Sequence, residues 1–184
     1  DEGLPWLYAA AGALAVGAGY RLRNAGALST AIARAGLAGV IAGVAESLRR
    51  LKAGVGRQVA IGAWIPGPFT LSWQLFGAEA WLAETVEGPD IGVWLEAVAE
   101  ALSRVGRVYR EAGADFLTIH DRGGSPQVVG PRTFRKWVKP ALARLCAALP
   151  GPVVVSVCGD TNAVVDDLLD CGAAALNVDQ RNQL

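Results

Sequence analysis

Apolar positions along this chain follow two alternating patterns. Four short runs, Val59–Ile65, Asp115–Ile119, Val153–Val157 and Ala174–Val178, are compact and largely apolar, the third of them β-branched, which predicts buried strands. Between them, apolar residues recur at helical spacing. Val40, Val44, Leu48 and Leu51 mark a helix from about residue 38, with Gly54 and Gly56 as stop signals. Thr70 is placed to cap a helix running toward Phe76, and Asp90 to cap a long one over Ile91–Ala112. Leu95, Val98, Leu102, Val105 and Val108 form the predicted apolar face of that long helix, with Val93 and Trp94 near its start. Pro131 suits the first turn of a helix carrying Phe134, Trp137, Val138, Leu142 and Leu145, and a further helix is expected over Ala163–Asp170.

Strict alternation of strand and helix predicts an α/β protein with a parallel sheet. Two closures satisfy it, an open doubly wound sheet or part of a (β/α)8 TIM-type barrel. No G-x-G-x-x-G follows any strand, which removes support for a dinucleotide-binding sheet. A full barrel takes about 250 residues, so 184 would supply roughly half to two-thirds of one. The chain has no methionine and begins with Asp1, and the expectation is a fragment carrying an incomplete barrel. Residues 1–37 form an unplaced Ala/Gly-rich segment, and residues 38–184 the barrel domain.

Composition narrows the partners. The 17 acidic and 17 basic residues cancel and are dispersed, so nothing favours nucleic acid or an anionic membrane. The apolar run Trp6–Tyr20 is shorter than the roughly 20 residues of a membrane span and lacks the basic flank of a signal peptide. Three cysteines, an odd number, favour reduced thiols and a cytoplasmic location.

Candidate chemistry gathers at the predicted strand ends: Pro66–Thr70, His120–Ser125, Cys158–Thr161 and Asp179–Gln180. Convergence of strand ends on one rim is how barrel enzymes build active sites, although Asp and Gly also favour loops in their own right. Cys158 is open to three readings: a metal-bound thiolate, a nucleophile with His120 (the one histidine) as its base, or a buried apolar thiol. Cys146 and Cys171 are expected to be structural. Asp121 and Asp160 are candidates for hydrogen-bonding a substrate or a metal ligand.

At these residues the chain resembles the uroporphyrinogen decarboxylase superfamily. Gly67-Pro68-Phe69-Thr70-Leu71 is similar to its G-P-[FW]-T-L turn, and Glu111–Asp115 with Asp121, Ser125, Pro131, Phe134 and Pro140 to its next block. Cys158-Gly159-Asp160-Thr161, Cys171-Gly172-Ala173 and Val178-Asp179-Gln180 resemble the block H-x-C-G-[ND]-T…G-[AC]-D-A-[IL]-S-[VI]-D-[QE]. The long loop between Asp121 and Phe134, Gln74 where decarboxylases place a tyrosine, and Cys-Gly-Asp-Thr followed by Asp-Gln resemble the methylcobamide:coenzyme M methyltransferase branch.

That resemblance implies a corrinoid-dependent methyltransferase, with a corrinoid protein as partner and methyl donor and a small thiol as acceptor. By the same resemblance Asp121 and Asp160 are expected to be catalytic. Gly67, Pro68, Phe69, Thr70, His120, Ser125, Asp179 and Gln180 are expected to bind substrate, and Cys158 to ligate zinc. Ser156 stands where the family's H-x-C has histidine, and serine is a poor zinc ligand. The alternatives are a uroporphyrinogen decarboxylase of porphyrin biosynthesis and a non-catalytic tetrapyrrole- or corrinoid-binding protein.

Overall fold

A computed structural model describes residues 27–88 and 91–183. Four strands, β1 (Gly62–Pro66), β2 (Phe116–His120), β3 (Val153–Val157) and β4 (Ala175–Val178), form one sheet in the order β1-β2-β3-β4. Every neighbouring pair is parallel. A doubly wound sheet reverses its strand order at a switch point; this one does not, and unbroken consecutive order is that of a (β/α) barrel segment.

The helices are α1 (Ala27–Val55), α2 (Pro68–Phe76), α3 (Ala78–Glu87), α4 (Ile91–Glu111), α5 (Pro126–Thr133), α6 (Lys139–Ala148) and α7 (Val165–Leu169). A π-helical segment, Phe134–Val138, joins α5 to α6, and a 3₁₀ turn, Asn162–Val164, precedes α7. Among the described residues no helix is long and apolar enough to cross a membrane.

The sheet has two unlike faces because strand side chains alternate. Ala63, Ile65, Leu117, Ile119, Val153, Val155 and Val157 are buried in the core with Leu95, Leu102, Val138, Leu142 and Leu145 of the helices. The opposite face carries Trp64, Thr118, Val154 and Ala175 in one row, then Pro66, His120, Ser156 and Asn177 in the next. Trp64 on this face is 49% exposed. Polarity rises along the face toward the carboxyl ends of the strands.

Several local expectations are corrected. α1 starts at Ala27, earlier than the start near residue 38 expected from the apolar spacing. β1 begins at Gly62 instead of Val59, which lies 55% exposed in the preceding turn. The Asp115 carboxylate takes the Ile61 N–H at 2.8 Å and the Lys52 ammonium at 2.5 Å, fixing where β1 starts against α1. Along α4 the buried stripe is Leu95, Val98, Ala99, Leu102 and Tyr109, while Val93 and Val108 are exposed. Tyr109 lies seven residues after Leu102, two full turns, and takes the core position expected for Val108. Helix begins at Pro126, and Pro131 follows a break at Gly130 (φ 77°), where the backbone leaves helical geometry. Asp90, the expected cap of α4, lies outside the described residues.

Candidate functional site at the carboxyl ends of the strands

The turn after β1 is held from outside. Gly67 is the N-cap of α2 and has no side chain to satisfy the helix's free N–H groups; Pro68 fills the first position without needing a donor. The missing cap comes from Asp121, directly after β2. Its carboxylate accepts from Thr70 N–H at 2.8 Å, Thr70 Oγ1 at 2.7 Å, Phe69 N–H at 3.3 Å and Gly124 N–H at 3.3 Å. A Cβ on Gly67 would fall on that carboxyl group, so the glycine is required by close approach. The Thr70 hydroxyl also accepts from Gly123 N–H at 2.9 Å, and Gly67 N–H donates to the His120 carbonyl at 2.7 Å.

This geometry corrects the expected helix cap and fixes the position of Asp121. Thr70 is no cap; it is the third residue of α2. Asp121, expected to be catalytic, is wholly buried and aimed at the start of α2, on the side of the sheet away from His120. Its burial pushes the carboxyl pKa up to about 6, against the opposing pull of Thr70, Phe69 and Gly124. It clamps the first two strand-end loops together. Phe69, also expected to bind substrate, is fully buried with its ring edge-on to Trp81, 5.4 Å between centroids, and Pro68 is buried beside it.

The third loop is tied in the same manner. Ser125 Oγ donates to the Cys158 carbonyl at 2.7 Å and, as N-cap of α5, accepts from Gln127 N–H at 3.4 Å. Gly159 adopts φ +86°, which lets the chain turn sharply after Cys158. Its N–H donates to Asp179 Oδ2 at 3.2 Å. Asn182 accepts from Thr161 N–H and Oγ1 and donates to the Gly159 and Asp179 carbonyls, locking the Cys-Gly-Asp-Thr turn to the loop after β4. Asp160, expected to be catalytic, is exposed and engaged by its neighbour Asn162 at 2.7 Å. Gln180 is exposed.

What remains facing the open side is a compact polar set. His120, Ser156 and Asn177 occupy one row of the sheet, with Cys158 and Asp179 following at the rim. His120 lies against Trp64, 5.5 Å between ring centroids, and partial burial together with Arg122 holds its pKa below the usual histidine value. Cys158 is exposed and free, whereas Cys146 and Cys171 are buried. Asp179 Oδ1 is buried without a hydrogen-bond partner. The register thus sets His120 beside Ser156, two residues before Cys158, and Gly159 N–H ties the Cys158 turn to Asp179, while Asp121 is turned toward α2. Sequence reasoning missed Asn177 and Asn182. Asn177 was accessible through the period-2 alternation from Asp179; nothing in the pattern singles out Asn182.

A family model described as uroporphyrinogen decarboxylase (URO-D) matches residues 29–184. The chain belongs to this family. Within the URO-D family it is similar to the methylcobamide:CoM methyltransferase MtaA of Methanosarcina barkeri, 30% identical over 142 residues, covering 77% of this chain and 42% of the relative. A methylcobamide:CoM methyltransferase MtbA of Methanosarcina mazei is 26% identical over 147 residues, covering 78% and 43%. The uroporphyrinogen decarboxylase of Thermus thermophilus is 30% identical over 92 residues, covering 49% and 26%. A solved methyltransferase from Methanosarcina mazei superposes with a TM-score of 0.70 at 28% identity, over 72% of this chain and 40% of that one. The URO-D segment described here therefore spans about two-fifths of the length of the methyltransferases it matches.

The zinc expectation does not fit the residues present. Ser156 offers a neutral hydroxyl, 3% exposed, that accepts from Asn177 Nδ2 at 3.3 Å. Zinc prefers thiolate, imidazole and carboxylate donors. Among the described residues no cluster of three or more His, Cys, Asp and Glu side chains is placed to hold a metal.

Proposed function

We propose that the protein carrying this chain transfers a methyl group from a methylcorrinoid, presented by a corrinoid protein, to a small thiol. The observation that carries the reading is the set His120, Cys158 and Asp179 on the open face at the carboxyl ends of consecutive parallel strands. It is supported by relatives whose names specify methylcobamide:CoM methyl transfer and which match a longer stretch of this chain than the decarboxylase does.

The chemistry needs a nucleophilic sulfur, a proton acceptor and a frame that excludes competing geometries. His120, whose pKa partial burial and Arg122 hold below the usual histidine value, has an imidazole nitrogen able to take the acceptor's S–H proton. The resulting thiolate attacks the methyl carbon; the new C–S bond forms as the cobalt–carbon bond breaks, and its electron pair leaves with the corrinoid. Asp179 Oδ1, still lacking a donor, orients the acceptor or its proton. Cys158 lines the approach at the rim, and Asp121 immobilises the turn from Gly67 to Thr70 that follows β1.

The test is to supply the purified full-length protein with methylcobalamin and coenzyme M and, separately, with uroporphyrinogen, and to identify products by mass spectrometry. Methyl thioether formation supports the reading. Release of CO2 from uroporphyrinogen without thioether would assign the decarboxylase reaction instead, and tight methylcobalamin binding without turnover would assign a binding protein.

A further inference from the structure

We infer that Ser156 and Asn177 form a neutral hydrogen-bonded pair in place of a metal-binding imidazole, so that the Cys158 site handles its thiol substrate without a metal ligand at position 156. The naming of a thiol substrate rests on the proposed methyl transfer; the statement about residues 156 and 177 does not.

Ser156 on β3 and Asn177 on β4 are direct partners in the parallel register. Strands so paired lie about 4.8 Å apart, and side chains in register share a face. Asn177 Nδ2 donates to Ser156 Oγ at 3.3 Å, joining the two residues across the strands. Both positions depart from the motif that the chain otherwise resembles, and in opposite senses. The β3 residue is smaller than the histidine of H-x-C, while the β4 residue is larger than the serine of S-[VI]-D. Cross-strand neighbours contact one another directly, so a small residue gained on one strand makes room for a larger one on the next. The two departures read as one compensated exchange of volume and hydrogen bonding.

That exchange changes the chemistry of the site. An imidazole supplies a nitrogen lone pair suited to zinc, whereas a hydroxyl is a weak neutral donor and a carboxamide nitrogen has no lone pair free for a metal. With Ser156 accepting from Asn177, its hydroxyl proton remains available to donate toward a bound anion such as a thiolate. Asp179 Oδ2 is taken by Gly159 N–H, which leaves Oδ1 as the open acceptor near the rim. The row thus offers hydrogen-bond donors and acceptors on either side of Cys158, the chemistry of a site that binds sulfur by hydrogen bonds.

The experiment uses the full-length protein, reconstituted with zinc and separately with cobalt(II), and measures metal content together with the thiolate-to-cobalt absorption band. The wild type should bind no metal that depends on Cys158, and Ser156→Ala should change nothing. Ser156→His combined with Asn177→Ser should raise zinc affinity at least tenfold and produce the cobalt–thiolate band, both lost on adding Cys158→Ala. Ser156→His alone should gain less, because Asn177 occupies the space the ring requires. Circular dichroism establishes that each variant is folded. One equivalent of zinc in the wild type that disappears in Cys158→Ala would overturn the inference, as would a folded double variant that gains no metal. Either result leaves methyl transfer standing, and absence of methyl transfer leaves these metal readouts unchanged.

Discussion

The buried carboxylate of Asp121 makes the stability of this fold depend on pH in an unusual direction. Its folded pKa of about 6 lies above the ordinary aspartate value of about 3.9. Between those values the folded protein holds a proton that the unfolded chain has released, so stability falls as pH rises from about 4 to about 6 and then levels off. The full gap corresponds to about 3 kcal/mol, and about 2 kcal/mol of it lies between pH 4.5 and 7.5.

Asp121→Asn isolates this contribution, because asparagine carries no charge at any of these pH values. It retains an acceptor oxygen but turns an NH2 group toward donors from Thr70 and Phe69, so it destabilises throughout. The cost should be largest at pH 4.5 and about 2 kcal/mol smaller at pH 7.5, because above pH 6 the wild type carries a buried charge that the variant lacks. Urea unfolding of both proteins at pH 4.5, 5.5, 6.5 and 7.5 measures the difference directly. Carboxylates held low by partners, such as Asp115 beside Lys52 and Asp167 beside Lys139, act in the opposite sense but cancel in the comparison. A difference that is flat across this range would place the Asp121 titration at its ordinary value and one that grows with pH would place it lower; either result would refute the reasoning.

Gly67→Ala should destabilise by about 2–4 kcal/mol, because the new methyl group displaces the Asp121 carboxylate and breaks the cap on α2. A double-mutant cycle with Asp121→Asn should show strong coupling, and additivity would contradict the clamp. Burial pushes the Cys146 thiol to about 12 and the Cys171 thiol to about 11, whereas Cys158 is exposed. Iodoacetamide at neutral pH should therefore modify Cys158 first, and peptide mapping that finds Cys146 or Cys171 modified at comparable rates would contradict their burial in the core. Asp167→Ala removes the ion pairs to Arg135 at 2.7 Å and Lys139 at 2.9 Å, and should cost about 1 kcal/mol at low salt, less at high salt, in thermal melts.

Legibility from the sequence depended on how local each determinant is. β3 follows Val153–Val157 residue for residue because a β-branched run between Pro152 and Cys158 admits little else. β1 was misplaced by three residues because its start is set by Asp115, more than fifty positions away. The consecutive strand order could not be read from alternation alone, which fits either closure. At the site, the strand-end rule points to His120, Cys158 and Asp179 at the carboxyl ends of successive strands, and alternation explains why Asp121 and His120, adjacent in sequence, point to opposite sides of the sheet. The role of Asp121 was hidden because its partners, Phe69 and Thr70, lie in another loop. Asn182 was hidden for the same reason: it serves Thr161, Gly159 and Asp179 together, a convergence that only the folded chain creates.

The most direct test of the central claim is the initial rate at which the full-length protein moves a trideuteromethyl group from labelled methylcobalamin to coenzyme M, compared with His120→Ala and Asp179→Asn. The account predicts labelled thioether from the wild type and at least a tenfold loss of rate in each variant, with circular dichroism unchanged. Labelled thioether formed at wild-type rate by both variants would contradict it.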